Sequence, residues 1–168
     1  MDFIQHTLNW CRGEIFEGKL LAFYGLAIII ISFLFWKLGS TPLAKKMFIP
    51  MLVVGLFCAA IGSGLITNNN KRIIAYQKSY AENPAQFVRI EKERTDNFIK
   101  WYPYTRYIMA AIIISGLGCH LIWSSPWPRT IGLSLILLAL SALFIDHFSE
   151  ERADTYHQKI IEELKRNE

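Results

Sequence analysis

Four long stretches of this chain contain no Asp, Glu, Lys or Arg: residues 20–36, 47–66, 107–123 and 131–145. A helix needs about 20 mostly apolar residues to cross a bilayer, because in hydrocarbon each backbone group must find its partner within the helix. The first three blocks are long enough alone. The fourth becomes so if Trp127 and Pro128 begin it at the interface, which gives spans at about 20–36, 47–66, 107–123 and 128–145. A soluble chain would scatter its charges along amphipathic elements. Here 19% of residues are charged, 52% are apolar, and the two classes are segregated. The expected fold is all-α: a polytopic membrane protein of one domain over 1–168, with four transmembrane helices as two tandem helical hairpins.

The block ends carry Trp36, Trp101, Tyr102, Tyr104, Tyr107, Trp123 and Trp127. Such rings settle at headgroup level, the apolar body in lipid and the polar tip outside. The connections alternate. Residues 37–46 form a short turn broken by Gly39-Ser40-Thr41-Pro42, and Ser124-Ser125-Pro126 is shorter still. Between these turns lies a long polar stretch, 67–106, and a polar tail, 146–168, follows the last span. The side with both termini and the middle stretch holds 14 of the 18 basic residues; Lys37, Lys45, Lys46 and Arg129 lie on the other. The positive-inside rule therefore predicts cytoplasmic termini in a bacterial inner membrane. All 14 acids also lie on the cytoplasmic side, which pulls the net charge the other way, but the rule counts basic residues. Met1-Asp2-Phe3 lacks the basic start of a secretory leader, so the first block is expected to remain as an anchor.

An offset of 84, half the length, aligns Ala27-Ile28-Ile29-Ile30 with Ala111-Ile112-Ile113-Ile114, and Ser40-Thr41-Pro42 with Ser124-Ser125-Pro126. This suggests an internal repeat of 1–84 and 85–168, as a parallel repeat about an axis along the membrane normal. A second correspondence, Ile73, Tyr76 and Tyr80 with Ala153, Tyr156 and Ile160, uses an offset of 80.

Outside the spans the pattern is amphipathic. Ile4, Leu8, Cys11 and Ile15 make one stripe of an N-terminal helix that suits the inner membrane surface. Asn83-Pro84 reads as a helix start. It opens a helix with Phe87, Ile90, Phe98 and Trp101 on one side, and with Glu91, Lys92, Glu93, Arg94 and Asp96 as a solvated face. The tail aligns Ala153, Tyr156, Ile160 and Leu164. Within lipid, helices associate through small residues. The candidate packing positions are Gly55, Ala59 and Ser63 on the second span, with Ala60 and Gly64 nearby, and Ala111, Ser115 and Cys119 on the third. Span one is bulkier, so spans two, three and four are expected to form the tight core with span one facing lipid.

Chemistry is sparse. Cys11, Cys58 and Cys119 are scattered and read as small packing residues. His120 lies near the outer end of the third span, and Asp146-His147 closes the fourth on the inner side. A haem would need axial ligands at matched depth, and these histidines fall at opposite faces. No nucleophile elbow, phosphate loop, carboxylate pair or metal spacing occurs, so neither enzyme activity nor a cofactor is expected. The cytoplasmic basic residues are balanced by acids, which argues against nucleic acid as a partner.

The layout is similar to that of immunity proteins that protect a producing bacterium from a pore-forming toxin: small, multi-span, basic and without catalytic residues. That resemblance implies a protein partner, captured in the bilayer by the small-residue faces, with Lys45, Arg129 and His120 near the outer side. Alternatively, an accessory subunit would present Tyr76, Phe87 and Tyr156 to a soluble partner of a membrane complex. A small homo-oligomeric transporter is a third reading, disfavoured by the absence of polar groups in mid-membrane.

Overall fold

The computed structural model of the chain describes residues 2–166; Met1, Asn167 and Glu168, at the ends of the N-terminal helix and the polar tail, lie outside the described residues. Among the described residues the chain is helical without strands: α1 (Phe3–Leu38), α2 (Pro42–Glu82), α3 (Pro84–Ile99), α4 (Tyr102–Ile122) and α5 (Pro126–Arg166). Local chemistry sets the breaks. Thr41 Oγ1 accepts from the Ala44 N–H at 3.1 Å ahead of Pro42, and Asn83 Oδ1 accepts from the Gln86 N–H at 3.0 Å ahead of Pro84. The Asn83-Pro84 start is as the sequence predicts. Pro103 has no N–H for the Ile99 carbonyl and its ring crowds that oxygen, so a turn at Lys100 and Trp101 parts α3 from α4.

Four helical stretches are long and apolar enough to cross a membrane: α1, α2, the stretch Pro84–Ile122 that includes α4, and α5. Their outward side chains, among them Phe23, Ile114 and Leu121, are exposed and greasy. That is compatible with a multi-pass membrane protein and costly in water.

The first surprise is continuity. The N-terminal amphipathic segment does not lie flat as a separate helix. It runs straight on into the first apolar block as α1, because no proline interrupts it and Gly13 and Gly18 cost only about 1 kcal/mol each. Helices α2 and α5 likewise extend their apolar blocks into polar segments. Both are 41 residues long and begin on proline, at the 84-residue offset that aligns the sequence.

The second surprise is the pairing. Helix α1 is the most closely packed of the apolar helices, against α2, and not the loosest. A Cβ on Gly25 would sit 2.6 Å from the Gly55 carbonyl oxygen; one on Gly62 would sit 2.5 Å from the Gly18 oxygen and the Ala22 nitrogen. Small residues at Gly18, Ala22 and Gly25 thus face Gly62, Ala59 and Gly55, both sets spaced four then three, in opposite chain directions. Counting small residues within span one misses this, since Gly18 precedes the apolar block. Helix α4 pairs only with α5 in the apolar layer, at Gly116 and Gly132, where a Cβ on either would strike the other's carbonyl oxygen. Helix α5 also touches α1 and α2.

The substitution Gly25→Leu should therefore cost about 2–3 kcal/mol. Gly64→Ala, where an added Cβ meets nothing within 4 Å, should change stability by less than about 1 kcal/mol. Unfolding of the detergent-solubilised chain followed by helical circular dichroism reads both; equal effects would mean the seam is not where the backbones meet.

Candidate functional site

At the end of the bundle that holds the N-terminus, aromatic side chains close on one another. Phe3, Trp10 and Cys11 of α1, Phe87 and Val88 of α3, and Tyr156 and Ile160 of α5 form a buried cluster, with Ile73, Tyr76 and Tyr80 of α2 at its edge. Trp10 stacks on Tyr156 at 5.6 Å between centroids and on Phe98 at 6.0 Å. Phe87 meets Tyr76 and Tyr80 edge-on.

A charge sits inside this cluster. Glu91 is 1% exposed. Arg94 donates to both its oxygens, from Nε to Oε1 at 2.9 Å and from a terminal nitrogen to Oε2 at 2.6 Å. The Tyr156 hydroxyl donates to Oε2 at 2.8 Å, and Thr7 Oγ1 lies 2.9 Å from that hydroxyl. The Arg94 guanidinium lies over Trp10, 4.5 Å from the ring centroid. Burial and the Glu91 carboxylate hold the Tyr156 phenol far above the usual tyrosine range, so it stays a donor. The network ties α1, α3 and α5 together.

The expected face of α3 is kept at Phe87 and Phe98 but shifts elsewhere. Ile90 and Trp101 are exposed, and the buried line runs Phe87, Glu91, Thr95 with Phe98 beside it. Hydrophobic counting cannot find a buried charge. The available signal was Glu91 and Arg94 three apart, one helical turn, with a tyrosine in the facing stripe.

A second charged layer lies nearer the apolar blocks. Arg152 of α5 reaches Glu14 at 3.0 Å and Glu17 at 2.8 Å, both nearly buried on α1. From α4, Thr105 donates to Asp146 at 2.6 Å, Tyr102 and Ser149 share a hydroxyl contact at 3.1 Å, and Arg106 pairs with Glu150. Asp146 thus joins α4 to α5 rather than merely ending a span.

The residues singled out in the sequence fall into three groups. Tyr76 is half-buried, and Phe87 and Tyr156 are buried, all within one aromatic cluster. At the opposite end, Lys45 is exposed, and Arg129 donates to the Trp123 carbonyl at 2.7 Å, closing the C-terminal end of α4. His120 is half-buried, with no hydrogen-bond partner for Nδ1. Of the small residues, Gly55 and Ala59 lie in the α1–α2 seam. Ser63 is exposed and its hydroxyl donates back to the Ala59 carbonyl; Gly62 takes the seam position instead. Ala111 and Ser115 are exposed, and Cys119 is half-buried beside Gly132. Among the described residues, no group of three or more His, Cys, Asp or Glu could hold a metal ion.

Replacing Arg94 by Met should cost about 3–5 kcal/mol, since it strands a buried carboxylate, whereas Glu91→Met with Arg94→Met should recover most of that loss. Tyr156→Phe should cost about 1–3 kcal/mol. Chemical denaturation ranks the three, and a double variant no better than Arg94→Met would show that the pair does not act as a unit. Burial also pushes the Cys11 thiol up to about 11, leaving about a hundredfold less thiolate than a free cysteine at neutral pH. Iodoacetamide should modify Cys11 only after unfolding; equal rates in folded and urea-treated chain, read by mass spectrometry, would contradict its burial.

No protein-family model matches the chain, and neither a curated protein nor a solved structure is significantly similar to it.

Proposed function

We propose that this chain is a multi-pass membrane protein of two tandem helical hairpins that works by seating transmembrane helices of another protein, and that this role is immunity to a membrane-targeting toxin. The apolar layers of α1, α2, α4 and α5 cross the bilayer in this reading, and both termini and α3 lie in the cytoplasm. The distribution of 14 basic residues against four supports that orientation. The matching bounds of α2 and α5 support reading the halves as a duplication.

The observation that carries the proposal is an open face on α4. Ala111, Ser115 and Gly118 are spaced four then three, as in the α1–α2 seam, yet no helix covers them. Ala111 and Ser115 are exposed, and a Cβ on Gly118 would meet only Ile122 of its own helix, at 3.9 Å. Lipid offers no hydrophobic drive between helices, so close approach at small residues is what brings them together. A bare stripe of this spacing suits a helix supplied in trans. Lys45 at the outer turn adds positive charge that would steer an acidic partner. The self-packed aromatic cluster weighs against the accessory reading, in which Tyr76, Phe87 and Tyr156 would be presented.

Filling the stripe with Ser115→Leu and Gly118→Leu should weaken partner capture by about tenfold or more, because overpacking costs about 1–3 kcal/mol. Survival of cells challenged with the toxin encoded beside this gene reads the effect. The same double variant should keep the wild-type helical melting profile. Full protection by the filled variant, or the lack of any toxin whose killing this chain blocks, would remove the role.

A further inference from the structure

A cavity of about 270 Å3 lies between α1, α2 and α5, where the apolar blocks meet the charged layer. One end carries three carboxylates, Glu14 and Glu17 of α1 and Asp146 of α5. Leu21, Phe57, Ile61, Leu138 and Ile145 form half of the remaining wall, and Ser141 and Ser149 are its polar members. The charges do not balance. Among the described residues Arg152 is the one cation bonded to this group, through Glu14 and Glu17, and Asp146 receives only the Thr105 hydroxyl.

The second observation is an orphaned atom. Glu17 is 4% exposed, and its Oε1 has no hydrogen-bond partner, although Oε2 is paired with Arg152. A carboxylate oxygen withdrawn from water without a partner is costly, so a buried one on a cavity wall points to a donor or cation within the cavity. A single metal ion does not fit, because these acids do not gather into a metal-holding group. A bulky cation fits better, with its charge at the acidic end and apolar groups along the rest. Phe57 and Ile61 are about half exposed, so the cavity opens sideways onto a face that lipid would cover.

We infer that this cavity binds a lipophilic ammonium cation, its nitrogen held by Glu17 with Asp146 near and its apolar groups against Leu21, Phe57 and Leu138. The ammonium belongs either to a free amphiphilic amine or to the headgroup of an aminophospholipid, which share this chemistry. The inference uses the membrane reading only for the route of entry and needs no protein partner. Affinity should fall on acidification. Burial raises the Glu17 carboxyl above its usual range, Arg152 of α5 opposes that, and Glu14 and Asp146 add to it. Protonating Glu17 removes the charge that the cation needs.

The test is titration calorimetry of tetrapropylammonium into the full chain in neutral maltoside micelles. Saturable binding is expected for the wild type. Glu17→Gln should weaken it by about tenfold or more, as expected when one partner of a buried charge pair is removed. Ala142→Phe, which fills the cavity without touching a charge, should abolish it. Circular dichroism melting checks that each variant folds, and Ala142→Phe decides the matter if Glu17→Gln does not. Displacement by added phosphatidylethanolamine but not by phosphatidylglycerol assigns the site to lipid ammonium; no displacement assigns it to a free cation. Absence of saturable binding, or equal affinity in wild type and Ala142→Phe, overturns the inference. Protection against a toxin is read separately, so the two proposals fail independently.

Discussion

Where Gly18, Ala22 and Gly25 of α1 meet Gly62, Ala59 and Gly55 of α2, two helix backbones touch with no side chain between them. Every other placement in the molecule is downstream of that contact, because both helices are unbroken. A helix rises 1.5 Å per residue, so the seam at Gly25 fixes the rotation of Trp10 about 22 Å away. Turning α1 by one residue would swing its side chains by about 100°. Glu14 and Glu17 would then leave Arg152, and Trp10 would leave Arg94 and Tyr156. At Gly18, Gly25, Gly55 and Gly62 a larger residue fails because the two backbones cross there.

The bundle is held by different forces along its length. In the apolar layer the outward faces are as greasy as the seams, so packing at small residues has to select the partners. Beyond the apolar blocks, polar side chains return and burial of aromatic rings can drive assembly. The cluster around Phe3, Phe87 and Tyr156 is built in that way, and Glu91 is set inside it with hydrogen bonds from Arg94 and Tyr156. A buried ion pair of this kind adds little net stability over an apolar replacement. It does constrain register, because a slip of either helix leaves a charge without its partner. The Arg152 layer applies the same constraint closer to the apolar blocks.

Two features stand out once the fold is accounted for. One is the bare Ala111, Ser115 and Gly118 stripe on α4, which repeats the spacing of a seam without its second helix. The other is the Glu17 oxygen without a partner at the wall of a largely apolar cavity. They lie on different helices, and the two proposals rest on them separately.

The four apolar blocks, the breaks at Thr41-Pro42 and Asn83-Pro84, and the tail stripe of Ala153, Tyr156 and Ile160 were legible in the sequence. All depend on local rules: segment hydropathy, capping, proline sterics and helical period. Other features were not legible. Gly62 rather than Ser63 lies in the seam, α1 rather than α4 is the close partner of α2, and Glu91 faces inward while Ile90 faces out. Neighbouring residues on a helix differ by about 100°, so a stripe read one position off points to a different neighbour. Which frame is used depends on where another helix lies. The open stripe and the unmatched carboxylate could be seen only in the assembled bundle, because whether a face is covered or an oxygen is paired depends on helices distant in sequence. The sequence by itself determined which segments are apolar and where Pro42 and Pro84 start helices; the tertiary structure alone decided which segments run on as one helix and which faces meet, since the choice of faces rests on backbone approach and on charges paired between distant helices.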